Sequence, residues 1–177
     1  MPRALTAGVL GALVGAALVL FIEPGEIFGR ARPPVGDVSV GPNQTAVVDG
    51  ETLRMRDMVI RLLGVAAPSR GQLCHHMDGS AFDCGAASAE ALAHLVKERA
   101  VECRLHGHDP NGRLIAVCRA DGRELNEAQV LGGWARARVE APNGGAVRFS
   151  GASFRAGESE ARTEHRGLWA GRFDPQT

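Results

Sequence analysis

Ile60-Arg61-Leu62-Leu63-Gly64-Val65-Ala66-Ala67-Pro68 is the stretch on which the reading of this chain turns. With Met58 and Val59 before it, it forms the most strand-like run of the sequence, rich in branched and long aliphatic side chains and ended by a proline that has no N–H for a ladder. Arg61 is the one charge inside it. A lone guanidinium there reads as directed into a pocket rather than as decoration of a solvent face.

Working outward, Ala46-Val47-Val48 leads into a turn at Asp49-Gly50, and Leu53-Arg54-Met55-Arg56 alternates with period two before a second turn at Arg56-Asp57. On the other side, Ser69 to Asp83 reads as a loop with little periodicity. A helix begins near Gly85, with Ala86, Ala89, Leu92, Ala93 and Val96 on one face. Val101, Cys103 and Leu105 then share one side of a strand, Asp109-Pro110-Asn111-Gly112 turns the chain, and Leu114 to Cys118 returns. A helix over Leu125–Gly132 follows, with Asn126 as a candidate cap. After the Gly-rich Ala141–Ser150 comes a last helix over Phe154–His165, ended by Gly167, with Leu168 and Trp169 packing back. Three hairpin-like strands, a helix, a strand pair and two closing helices describe a small antiparallel barrel with helices, mainly β in an α+β class.

The amino terminus has a different character. From Ala4 to Ile22 run nineteen residues without a charge. At about 1.5 Å per helical residue they nearly match a hydrocarbon core roughly 30 Å thick. Because Leu20-Phe21-Ile22-Glu23-Pro24 is a poor cleavage site, residues 1–24 read as an uncleaved transmembrane signal-anchor rather than a signal peptide. Residues 25–43 read as a flexible tether and the start of the first strand, and 44–174 as the folded domain. The expected location is a single-pass membrane protein with its carboxyl-terminal domain in the periplasm or extracellular space; secretion after cleavage is the alternative.

Composition narrows the rest. The 20 basic and 20 acidic residues balance, which removes any general attraction to nucleic acid while leaving room for a local basic cleft. Four cysteines, an even number downstream of an export signal, favour disulfides over zinc, for which the spacing is wrong. If the hairpin turns between Pro110 and Asn111, Leu105 faces Ala116, Cys103 faces Cys118 and Val101 faces Ala120. That register predicts a Cys103–Cys118 disulfide and leaves Cys74–Cys84 to close the loop between them.

Several motifs stand in one order: Val48-Asp49-Gly50-Glu51-Thr52-Leu53, the Ile60–Pro68 stretch, Cys84-Gly85-Ala86-Ala87, and Asp109-Pro110-Asn111-Gly112-Arg113. Leu125-Asn126-Glu127-Ala128 with Gly133-Trp134-Ala135, and Glu160-Ala161-Arg162 through Arg166-Gly167-Leu168-Trp169, extend them. Together they resemble the staphylococcal (thermonuclease) nuclease family from about Ala46 to Phe173. The resemblance implies an OB-type five-stranded barrel with three helices, and phosphodiester hydrolysis in DNA or RNA assisted by calcium. It places one metal-binding acid at Glu51 and phosphate-binding arginines at Arg61 and Arg113. The second acid falls on Ala66 and the water-handling glutamate on Ser69, neither of which can do that work. The chain also lacks tyrosine, so the aromatic cover at Val139 and Ala141 is missing.

By pattern alone, Glu51 is equally a turn acid beside Gly50, and Arg113 equally a surface residue after a turn glycine. Cys74-His75-His76-Met77-Asp78, with Asp83, offers imidazoles and carboxylates for a replacement site, although solvated loop residues are the plainer account. His106 and His108 look similarly exposed, and Trp134 and Trp169 read as core anchors. The expectation is therefore a membrane-tethered thermonuclease-like domain, impaired or inactive in calcium-dependent hydrolysis, with a phosphate, nucleotide or nucleic-acid-binding or structural role. Calcium binding is expected to be weak or absent. The alternative is a divergent metal-dependent endonuclease that uses Glu51 with other oxygen donors.

Overall fold

The computed structural model describes residues 36–109, 111–138, 151–171 and 173. Seven short strands come first: β1 (Asp37–Val40), β2 (Thr45–Asp49), β3 (Thr52–Met55), β4 (Met58–Leu62), β5 (Val65–Ala66), β6 (Leu73–His75) and β7 (Ala81–Asp83). Helix α1 (Cys84–Val96) precedes the long hairpin β8 (Val101–His108) and β9 (Leu114–Ala120). β10 (Arg123–Glu124), α2 (Leu125–Leu131), β11 (Arg136–Ala137), α3 (Gly151–Thr163) and a 3-10 turn (Gly167–Ala170) complete the described chain.

The main sheet runs β1-β8-β9-β4-β3-β2, with β10 added to β9. Its neighbours are antiparallel except β4 and β9, which are parallel. This corrects the expected five-stranded OB-type barrel. The sheet is mixed and open: its edges β1 and β2 are joined through residues 41–44 but share no ladder among the described residues. A barrel needs its first and last strands bonded to each other. Here β1 spends its register on β8, and β2 bulges between Val47 and Asp49. Alternation in a sequence reports which face a residue takes, not which edges meet.

The expected single-pass membrane topology is corrected too. No helix among the described residues is long and apolar enough to cross a membrane, and the longest have 13 residues. The segment assigned to the anchor, 1–24, lies outside the described residues, as do most of the tether and residues 139–150.

The core lies between the inner face of the sheet and the helices. Leu53, Met55, Ile60, Leu62, Val101, Leu105 and Ala116 meet Leu92 of α1, Val130 of α2 and Phe154 of α3. The β8–β9 register pairs Val101 with Ala120, Cys103 with Cys118 and Leu105 with Ala116, and the Cys103–Cys118 disulfide closes across it with Cα atoms 4.0 Å apart. Cys74–Cys84 is also bonded and belongs to a second buried cluster with Leu168, against which Trp134, Phe82 and Phe173 pack. The stretch 69–83, expected to be irregular, contains the β6–β7 hairpin. Asp83 ends it as the cap of α1, its Oδ1 accepting from the N–H of Ala86 at 2.8 Å. Gly85 has to be glycine there, because a Cβ would lie 1.8 Å from the Ser69 carbonyl oxygen.

Asn126 is not a cap. It is fully buried on α2, where Oδ1 accepts from Cys118 N–H at 2.9 Å and Nδ2 donates to the carbonyls of Leu63 at 2.9 Å and Ala116 at 3.0 Å. Replacing it with alanine strands the Cys118 N–H and the Leu63 carbonyl, while the Ala116 carbonyl keeps the Leu63 N–H at 2.8 Å. Asn126→Ala is expected to lower stability by about 3 kcal/mol, read from the urea midpoint, against about 1 kcal/mol or less for the exposed Asn111→Ala.

Candidate functional site

The turn between β2 and β3 positions the first acid. Asp49 Oδ1 accepts the Glu51 N–H at 2.9 Å, and Gln129 from α2 donates Nε2 to the Gly50 carbonyl at 2.8 Å. A side chain at position 50 would collide with Ser88 Oγ at 1.9 Å, so the turn presses directly on α1. This fixes Glu51 beside Arg61, its diagonal neighbour across the β3–β4 ladder in which Thr52 faces Arg61.

Glu51 Oε1 accepts from both Nε and Nη2 of Arg61 at 2.8 Å, and Oε2 accepts the Ala67 N–H at 3.0 Å. The pair is largely shielded, with side-chain exposures of 15% and 11%. The parallel β4–β9 ladder, which sets Arg61 opposite Ile115, brings the start of β9 to the same place. There Arg113 Nε donates to Asp109 Oδ2 at 2.7 Å, and Asp109 Oδ1 accepts from the N–H groups of Asn111 and Arg113, each at 2.9 Å. Arg61 Nη1 lies 4.0 Å from the same Asp109 Oδ2. The result is one run of alternating charge: Glu51, Arg61, Asp109, Arg113.

Asp109 is the buried hinge of that run, its side chain only 1% exposed while Arg113 is 38% exposed. Burial is the largest influence on its carboxyl and pushes it up. The backbone and guanidinium bonds from Arg113 and the N–H of Asn111 outweigh that push and hold it below the usual carboxylate value.

Glu51, Arg61 and Arg113 therefore come together, but as ion pairs. Ala66 sits on β5 with no donor atom in its side chain, and Ser69 is exposed, its N–H donating to Gln72 Oε1 at 3.2 Å. Calcium takes six to eight oxygens. Both oxygens of Glu51 already accept N–H bonds, and among the described residues no group of three His, Cys, Asp or Glu side chains is placed to hold a metal. Of the two acid positions that the resemblance assigns to the metal, only Glu51 carries a carboxylate. The loop histidines do not repair it: His75 lies exposed on β6, and His76 stacks on Phe82 with ring centroids 4.4 Å apart. His106, expected to be exposed, is partly buried, and burial together with Arg104 lowers its imidazole below the ordinary value. Trp134 and Trp169 are both partly buried; Trp169 stacks under the Arg162 guanidinium, 4.0 Å from its ring centroid.

Sequence reasoning passed over Asp109, which reads as the first residue of a turn, and Asp49 and Gln129, which support the Glu51 turn. An acid three or four residues before an arginine in a hairpin was the available signal for Asp109.

An open mixed sheet backed by three helices, with paired arginines on its parallel seam, defines a nuclease-like α+β domain. Residues 59–171 match the family described as Staphylococcal nuclease homologue, and the chain belongs to that family. It is similar to the succinoglycan biosynthesis protein ExoI of Rhizobium meliloti (strain 1021), with 34% identity over 115 residues, 64% of this chain. The matched region spans 56% of that relative's length.

Because the Asp109 carboxyl is held below its unfolded value of about 4, the stability it contributes is complete above that pH and lost as pH falls through the lower folded value. Asp109→Asn is expected to cost about 2 kcal/mol at pH 7. The gap from wild type should narrow below about pH 4 in urea titrations at several pH values.

Proposed function

We propose that this domain binds phosphate groups of nucleotides or single-stranded nucleic acid through Arg61 and Arg113, and that it does not carry out calcium-dependent hydrolysis. The observation that carries this reading is the engagement of Glu51. The carboxylate that would hold a metal is instead bonded to the guanidinium that would hold the phosphate, and its second oxygen is bonded to Ala67 N–H. A ligand phosphate then competes with a resident carboxylate for Arg61 and finds Arg113 already more open to solvent.

Hydrolysis asks for more than binding. A positioned general base alone contributes roughly 10²–10⁴-fold, and the hydroxyl of Ser69 is a poor base near neutral pH. Without a metal held at Glu51 to lower the barrier as well, several kcal/mol of transition-state stabilisation would be missing, at about 1.4 kcal/mol per tenfold in rate.

The test incubates the full chain with single-stranded DNA and RNA in calcium, manganese or EDTA. Binding that survives EDTA, weakens with salt and yields no products is the expected result. Glu51→Gln should then tighten binding by up to about tenfold, since it removes the charge of an internal competitor. Strong calcium-dependent cleavage abolished by Glu51→Ala would replace this reading with a divergent phosphodiesterase. A chain that neither binds nor cleaves would leave a structural or protein-binding role.

A further inference from the structure

On β5 the vacated acid position, Ala66, faces a cation. β11 pairs with β5 so that Arg136 stands opposite Ala66 and Ala137 opposite Val65, and Arg138 N–H closes the ladder on the Gly64 carbonyl at 2.8 Å. Directly opposed residues of an antiparallel pair project to the same face, with β-carbons about 4.5–5.5 Å apart. Val65 belongs to the main core and Ala137 packs against it, so by alternation Ala66 and Arg136 share the face turned away from that core. The other edge of the same short strand leads to Ala67, whose N–H holds Glu51 Oε2 at 3.0 Å. Arg136 and the Glu51–Arg61 pair thus flank one two-residue strand, with only the methyl group of Ala66 in the place of a carboxylate.

Arg136 is also the odd member among the arginines. The other partly buried arginines among the described residues, Arg61, Arg99, Arg113 and Arg166, each meet a carboxylate. Arg136 is partly buried, and its Nε is fully buried with no acceptor. The missing acceptor marks a guanidinium that no protein carboxylate holds at Nε, and a phosphate oxygen is a strong, charge-assisted acceptor for the part of a guanidinium that solvent reaches.

We propose that Arg136 is a third guanidinium of the phosphate site and supplies, as a fixed cation beside Ala66, positive charge that the metal-binding half of the site lacks. The inference rests on the phosphate-binding reading above and adds to it a residue and a property: binding independent of metal because the cation is built into β11. An aspartate at position 66 would pair with Arg136 and cancel the effect, which gives Ala66 a role of its own.

The full chain is titrated with a fluorescently labelled oligothymidylate in EDTA, with inorganic phosphate as competitor. Arg136→Ala is expected to weaken binding about tenfold and to reduce the slope of log K against log salt by about 0.7, the signature of one lost phosphate contact on a single strand. Arg136→Lys should recover part of the affinity and the full slope. Ala66→Asp, which leaves Arg136 in place, should weaken EDTA-resistant binding in the same way. Unchanged binding and slope in Arg136→Ala, with binding lost in Arg61→Ala, overturns the role of Arg136 and leaves the phosphate site standing. Wild type that fails to bind overturns both. Should Arg136→Ala fail to fold by circular dichroism, Ala66→Asp decides: unchanged affinity in EDTA rejects the proposal.

Discussion

The arrangement depends on one seam, the parallel pairing of β4 with β9. Parallel neighbours in this sheet are far apart in sequence, and the pairing is slightly weaker per residue than an antiparallel one. Asn126 reinforces it from α2, bonding the Leu63 carbonyl just after β4 and both the Ala116 carbonyl and the Cys118 N–H of β9. The Cys103–Cys118 disulfide fixes β9 against β8 from the other side. With β9 held on both sides, the register Arg61 opposite Ile115 follows, and with it the approach of Arg113 and Asp109 to Arg61. No local sequence rule would bring these residues together. A single buried amide and a crosslink do.

What the seam assembles is electrically complete. Two guanidiniums and two carboxylates alternate, and the two least exposed partners, Asp109 and Arg61, lie at the centre. Charges so shielded are stable only when paired, which gives each arginine a structural reason to be present whatever it binds. Arg113, the most exposed of the four, is the natural point of entry for an external anion. The two oxygens of Glu51 let one side chain hold both Arg61 and the Ala67 N–H.

Much of this was legible in the sequence, and the parts that were not share a cause. The hairpin pairs from Leu105–Ala116 outward were read correctly, but not by symmetry alone: next to the turn Gly107 faces Ile115 and His108 faces Leu114, a register centred on Asn111, and the bulge between Leu105 and Gly107 shifts it to the expected pairs. That Arg61 meets a partner was readable because a charge in an apolar strand requires one, and the partner is Glu51. The opening between β1 and β2 was not, since edge contact leaves no periodic trace. Asn126 at the start of a helix looks like a cap, and only the depth of the packing reveals it as a bridge. Asp109 and Arg136 were invisible for the same reason. Each gains its meaning from a residue more than forty positions away, Asp109 from Arg61 and Arg136 from Ala66.

The proposed exchange of a metal for a guanidinium carries a consequence for chemistry. A divalent ion in a phosphodiesterase can both neutralise the ground-state phosphate and activate the attacking oxygen. A guanidinium does the first alone, since it stays protonated at any pH the protein meets and presents a fixed planar fork. A site built from Arg61, Arg113 and Arg136 could therefore hold phosphate charge, but guanidiniums generate no nucleophile, so hydrolysis would still lack its activated attacking oxygen. Position 66 decides between the two regimes: a carboxylate there would add a hard oxygen ligand, whereas the methyl group of Ala66 leaves the facing cation on β11 free for an external phosphate.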